Sequence, residues 1–396
     1  MAAFSMEIFG FFLVALSTLL WVGFALLPWR PWSNLEVVDV MDGDKDGAIL
    51  GEITVVIPAR NEAKVIRQTL RSVIEQGPGL KIVLVDDHSE DATVQRTREM
   101  RLADLRVLHS PPLPAGWSGK LWALEQGRQQ VTTPYMLLLD ADIKLARGIV
   151  RTLRERMHQQ GVSFISLMAR PSMSGRWEKF LMPAFVYFFK VLYPFGRVNL
   201  HHTKMAAAAG GCILVETRLL DEIGAFQSIK SAVIDDCALA RQVKSRGFKI
   251  WLGLTHSVNS IRSYQRLGEI WDMVARTAFV QLRCSVGLLV LCTLVMVLAY
   301  EVPVVMVFSS SPLLRYFCLL SLGIMFSTYI PILRFYNRSW AWTLGLPLIA
   351  ALFLAMTWTS AIRYWRGEHT RWKGRVYQRQ AAAIEFSEDQ AHRSEP

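Results

Sequence analysis

Four long apolar stretches, residues 7–28, 286–308, 313–333 and 340–362, constrain this chain of 396 residues more than any other feature. Each has about the 20 residues a helix needs to cross a bilayer. The first has one charge, at its outer end, and no basic segment before it. Trp29-Arg30-Pro31-Trp32 comes directly after it, an aromatic and basic anchor for the membrane interface. An uncleaved transmembrane anchor over 1–32 is therefore expected, rather than a signal peptide. Arg30 places the segment after the anchor in the cytoplasm.

The three later stretches raise a question of parity. If all four cross, residues 363–396 lie opposite residues 33–285. Yet Arg363, Arg366, Arg371, Lys373 and Arg375 stand there against Glu368, and positive charge belongs inside. One stretch is therefore expected to be re-entrant or interfacial. Residues 286–308, interrupted by Glu301-Val302-Pro303, are the candidate. The tail is read as cytoplasmic, beneath a membrane that the chain crosses more than once.

Composition narrows the partners. The chain is 52% apolar with a net charge of +11. An anionic membrane surface accounts for that charge, and no nucleic-acid reading motif accompanies it. Neither CxxC spacing nor a disulfide-rich pattern is present among the five cysteines, so free thiols without a zinc site are expected.

Residues 33–265 form the remaining large unit, and from 51 onward they read as α/β. "ITVVIPARNEAKVIRQTLRSVIEQG" is an apolar β-branched run, a loop and a helix, and "KIVLVDDHSEDATVQRTREM" repeats the plan. "YMLLLDADI", "FISLMAR" and "GCILVET" add further buried strands. Such alternation predicts a Rossmann-like, mostly parallel sheet with ligands at the carboxyl ends of its strands. Arg60, Asn61 and Glu62, then Asp86 and Asp87, then Asp140 and Asp142 collect at that edge. A solvated loop explains any one of these clusters, but not all three together.

Spacing excludes two nucleotide-binding classes. "PARNEA" has no GxGxxG, and "GWSGKLW" has Leu121 where a P-loop needs Ser or Thr. Lys120 remains available to a phosphate as a point charge. Two carboxylates with one residue between them suit a hard divalent ion that bridges nucleotide phosphates. The ion would neutralise charge on a departing diphosphate. Nucleotidyl transfer would use the same acidic edge.

"TVVIPARNEA" (54–63), "VLVDDHSEDAT" (83–93), "LLLDAD" (137–142) and "IDDCALARQVKSRG" (234–247) resemble glycosyltransferase family 2 in order and spacing. "LPAGWSGKLWAL", "MPAFVYFFKVLYPF", "AAAAGGCILV" and "RWKGRVY" are similar to the bacterial hopene-associated glycosyltransferases, more distantly to ceramide glucosyltransferase. The resemblance implies a GT-A fold, a UDP-sugar donor and a divalent cation, Mg²⁺ or Mn²⁺. It places Asp86 and Asp87 at the uridine, Asp140 and Asp142 at the metal, and Asp236 as catalytic base. Pro58, Arg60, Glu62, Lys120, Asp140 and Arg276 join the donor side, with Trp372, Arg375 and Tyr377 of a tail motif that folds back. "QLRCS" (281–285) only approximates the box of processive synthases, which argues against long polysaccharide products.

Asp235 reads as a helix cap, whereas Asp236 with Leu239 matches the family's Asp-x-x-Leu signature. A carboxylate beside another would have a raised pKa, as a base for a hydroxyl requires. "RWEKFLMPAFVYFFKVLYPFGR" (176–197) is apolar but broken by Lys179, Lys190, Pro183 and Pro194, too short to cross. It fits either the membrane interface or the domain core. Trp177, Phe185 and Phe188 there, with Asp235 and the small residues Gly210 and Gly211, mark the acceptor region. His201 and His202 read as loop surface. Residues 266–285 contain an amphipathic interface helix, 286–362 the membrane helices, and 363–396 the basic tail. The reading is an inverting transfer of a hexose from a UDP-sugar to a membrane lipid hydroxyl, of hopanoid or similar terpenoid type. The alternative is a polyprenyl-phosphate acceptor or a short growing glycan.

Overall fold

The computed structural model describes residues 2–40 and 49–368, with side chains from residue 8, and the backbone of 371–372 and 375–376. One eight-stranded sheet organises the middle of the chain. Its strands are β1 (Ile53–Ala59), β2 (Lys81–Asp86), β3 (Leu105–His109), β4 (Tyr135–Leu139), β5 (Ile143–Leu145), β6 (Phe164–Arg170), β7 (Cys212–Glu216) and β8 (Ile250–Ser260). They lie in the order β3-β2-β1-β4-β7-β6-β8-β5. β1 pairs in parallel with β2 and β4, β2 with β3, and β6 with β8; β7 runs antiparallel to both its neighbours, and β5 to β8.

Strand alternation explains why both faces are covered. In β1, Ile53, Val55 and Ile57 enter one hydrophobic core while Val56 enters the other. Each such side chain is fully buried and contributes roughly 1.5–3 kcal/mol. The expected α/β sheet is present.

Nine helices matter for position. They are α1 (Ala2–Ala25), α2 (Gly119–Arg128), α3 (Arg176–Leu192), α4 (Asp235–Ser245), α5 (Leu267–Ala275), α6 (Val286–Met296), α7 (Val302–Met306), α8 (Pro312–Phe335) and α9 (Leu346–Trp365). A π-helical turn, Val297–Glu301, joins α6 to α7. Among the described residues, four helical segments are long and apolar enough to cross a membrane: Ile8–Ala25, Val286–Met306, Pro312–Phe335 and Trp340–Trp365.

α1 and α8 lie side by side in parallel, with Phe11 edge-on to Phe317 at 5.9 Å and Thr18 hydrogen-bonded to Ser321 at 2.9 Å. α7 descends along them, placing Val302 and Met306 against the cluster of Val14, Leu314 and Cys318. Residues 286–308, expected to be re-entrant or interfacial, form one helical segment from Val286 to Met306, with the π-turn and Pro303 inside it. The last helix packs on α3 and α5. At its start Trp342 meets Phe180 of α3 at 5.9 Å. Near its end Thr359 accepts from Trp271 Nε1 of α5 at 3.1 Å, and Arg363 pairs with Asp272 at 2.7 Å.

α3 lies between the sheet domain and the membrane helices. Leu181, Met182, Ala184, Val186 and Tyr187 are buried, and Tyr187 is hydrogen-bonded to Thr328 of α8 at 3.1 Å. Lys190 donates to Asn34 at 2.7 Å and to the Ser33 carbonyl. Helix α3 is therefore a packed layer, closer to the core reading than to a helix floating in the interface.

Candidate active site

The carboxyl ends of β1, β2 and β4 lie together, as parallel pairing requires, and bring the three acidic loops to one edge. The first two loops are built on left-handed residues, Asn61 (φ 53°) and His88 (φ 55°). Such backbone is costly for non-glycine residues and is held by cross-loop bonds. Asn61 accepts from Glu90 N at 2.8 Å and donates its backbone N–H to Ser89 Oγ at 3.0 Å. Arg60 braces the second loop, donating to the carbonyls of Asp87 (2.6 Å) and His88 (3.0 Å). Asp86 accepts from Ser89 N at 3.3 Å and has His109 Nδ1 at 3.3 Å. Asp87 is wholly buried.

The third loop is not an extended strand. β4 ends at Leu139 and the chain turns, with Ile143 N donating to the Asp140 carbonyl at 3.1 Å. Strand alternation therefore does not orient Asp140 and Asp142. The loop is fixed instead by Asp140 N on Gly211 O (3.1 Å), Thr69 Oγ1 on Ala141 O (2.7 Å) and Ile261 N on Asp142 O (2.9 Å).

Two cations hold the pair. Lys120 Nζ, in the first turn of α2, lies 2.9 Å from Asp140 Oδ1 and 3.3 Å from Asp235 Oδ2. Burial would lower its pKa, but these carboxylates outweigh it and keep the ammonium well above the ordinary lysine range. Arg262 donates Nε to Asp142 and pairs with Glu62 at 2.7 Å, and it is likewise held above the ordinary range against its burial. Asp140 has its carboxyl raised by desolvation despite Lys120.

Asp236 closes the site from α4. Its Oδ2 accepts from Gly210 N at 2.8 Å and its Oδ1 from Cys237 N at 2.7 Å. Burial, then the neighbouring Asp235, push its pKa up to about 6 against the pull of Lys120 and the two amides. A side chain at Gly210 would place Cβ 3.2 Å from Asp236 Oδ2 and 3.4 Å from Lys120 Nζ. Glycine is needed there for close approach. Pro58, Lys120, Asp140, Gly210, Asp235 and Asp236 line one small pocket of about 20 Å³.

Among the described residues no group of three or more His, Cys, Asp and Glu forms an all-protein ion cage. Asp140 and Asp142 nonetheless fit a hard cation. Each has one oxygen engaged by a basic side chain and one remaining, and such ions complete their shell with substrate phosphates.

The other expected site residues divide. Arg276, exposed at the end of α5, lies within the field of Tyr264, whose hydroxyl burial pushes up, with Asp142 and Asp140 adding to the rise and Arg262 and Arg276 opposing it. Phe188 packs against Tyr300 (5.9 Å) and Phe353 (5.2 Å), Phe185 is half-buried, and Trp177 is exposed. Trp372 and Arg375 stand in a short antiparallel pair, Arg371–Trp372 with Arg375–Val376; their side chains and Tyr377 lie outside the described residues.

Arg262, Tyr264 and Tyr193 escape the sequence reading. Tyr193, at the end of α3, donates to Gln281 at 2.5 Å and lies within the field of Asp236. The signal for Arg262 is an arginine two residues past the end of a long strand, in "NSIRSYQR". Glu178 is a further link: fully buried on α3, it accepts from Gly175 N (2.8 Å), Ser174 Oγ (2.9 Å) and Tyr264 N (2.6 Å). Those donors hold its carboxyl below the usual range despite its desolvation.

Residues 54–224 match the family described as Glycosyl transferase family 2. The chain is 31% identical over 104 residues to a 4,4'-diaponeurosporenoate glycosyltransferase of Staphylococcus haemolyticus, covering 26% of this chain and 28% of that protein. It is 32% identical over 110 residues to the Staphylococcus aureus protein of the same description, covering 28% and 29%. The match thus spans less than a third of those relatives. In fold, the chain is similar to a mannosyltransferase from Pyrobaculum calidifontis in complex with GDP-Man and Mn²⁺. The TM-score is 0.53, with 16% identity, 90% of this chain and 99% of that one covered. The fold is GT-A.

Proposed function

From the premise that residues 54–224 are a glycosyl transferase family 2 domain, we propose that the chain moves a hexose from a UDP-sugar to the hydroxyl of a terpenoid-type membrane lipid, with inversion. The single observation behind this is Asp236, a buried carboxylate raised to about 6 beside a doubly clamped acidic pair.

An alcohol attacks an anomeric carbon poorly unless its proton leaves as the bond forms. Asp236, fixed by Gly210 and Cys237 amides, would take that proton. Lys120 and Arg262 would turn from the carboxylates toward the leaving diphosphate as the donor binds. Asp140 and Asp142 would hold the divalent cation, which when bound stabilises charge on the departing UDP. Asp86, Asp87 and His109 would border the base and ribose, and Arg276 the diphosphate. The apolar helices beside α3 suit a lipid acceptor, and the names of the partial relatives, which point to a carotenoid-type acid, agree with a terpenoid. The catalytic domain would face the cytoplasm beneath a bacterial inner membrane.

The test is transfer by the full chain in detergent. Radiolabelled UDP-glucose and GDP-mannose would be offered with extracted bacterial lipids. Label passing into the lipid phase in step with UDP release supports the proposal. Label reaching only water-soluble products, or only from GDP-mannose, contradicts it.

A further inference from the structure

Between α5, the π-turn and α9 lies a cavity of about 490 Å³. That lies within the roughly 300–1,000 Å³ of small-molecule sites. Its wall is mainly apolar, including Met296, Val297, Ala350, Leu354 and Trp358. Ala351 and Ala355, four residues apart on α9, are exposed and line it as well.

The polar atoms of the indoles and hydroxyl in this wall are used up. Trp271 Nε1 donates to Thr359 Oγ1, which donates to Ala355 O, and Trp358 Nε1 donates to Thr293. Glu301 differs. It lines the cavity, and its Oε1 is buried without a hydrogen-bond partner among the described residues. An ionisable side chain within an apolar membrane segment is costly and retained where it serves a partner. It also ends the π-turn, a distortion frequent at functional sites.

We propose that this cavity is a binding site for a lipid alcohol, its hydrocarbon along the apolar wall and its hydroxyl on Glu301. A hydroxyl both donates and accepts, so it satisfies the carboxyl whether ionised or protonated. A plain hydrocarbon would leave Oε1 unmet. No residue is shared with the acidic site. The binding stands apart from the proposed reaction and would survive its failure.

The experiment measures binding of tritiated geranylgeraniol to the purified full chain, competed with the matched C20 hydrocarbon. Wild type is expected to prefer the alcohol about fivefold, one net hydrogen bond's worth. Glu301→Leu should bind both equally, Glu301→Gln should keep the preference, and Ala355→Trp should exclude both. Equal binding by wild type, an unchanged preference in Glu301→Leu, or unchanged uptake by Ala355→Trp would overturn the site.

Discussion

At Asp236 the pH dependence follows from sign alone. Burial and Asp235 raise this carboxyl to about 6, so its basic form dominates only above that value. Turnover is expected to fall as pH drops through 6, about tenfold per unit below it. Asp236→Asn should lose about 10²–10⁴-fold in rate and that acid limb with it, while calorimetric UDP-sugar binding stays near wild type. Normal turnover in the variant would remove the base assignment. For the acidic pair, Asp142→Ala is expected to abolish a Mn²⁺ signal in electron paramagnetic resonance and to lower turnover sharply. EDTA should abolish turnover in the parent, and full activity in EDTA would take the ion out of the reaction. Asp140, Asp142 and Asp236 were legible because their types recur in short ordered strings. Arg262 was not, because its meaning lies in partners 120 and 200 residues away.

Among elements, α3 repays comparison between expectation and packing. Its prolines and lysines argued against a crossing, yet hydropathy could not tell lipid from protein as its neighbour. Phe188 meets Tyr300 and Phe353, so it is first a packing residue and a poor reporter of acceptor use. Phe188→Ala is expected to cost about 2 kcal/mol, below the roughly 3–5 kcal/mol of a fully buried ring. Thermal unfolding in detergent measures it; an unchanged midpoint would place Phe188 outside the packed layer. Strands β1, β2 and β4 were legible as apolar runs, but β8 was not. Thr255, His256, Ser257 and Asn259 break its pattern, and their side chains are satisfied locally: Asp39 accepts from Thr255 Oγ1 at 3.0 Å and pairs with His256 Nδ1 at 2.7 Å.

Over the whole molecule, the contacts of α9 with α3 and α5 bear on where the basic tail lies. α1, α6–α7 and α8 would make three passages, leaving residue 363 on the side of the sheet domain. In a cysteine-free background, Arg218→Cys and Glu368→Cys, both at exposed positions, should react with an impermeant maleimide from the same vesicle face. Labelling from opposite faces would refute this arrangement. The sequence supplied the number of apolar segments, but not which one packs against α3 and α5, because those contacts reach from Trp342 to Phe180 and from Thr359 to Trp271. The Arg262 clamp on Asp142 has a consequence in time as well as space. The ribosome finishes Asp142 120 residues before Arg262. At roughly 5–20 residues per second, that is on the order of ten seconds. During it the nascent chain, already tethered by α1, holds an acidic loop without its arginine, and the clamp can form only as the last helices begin to emerge.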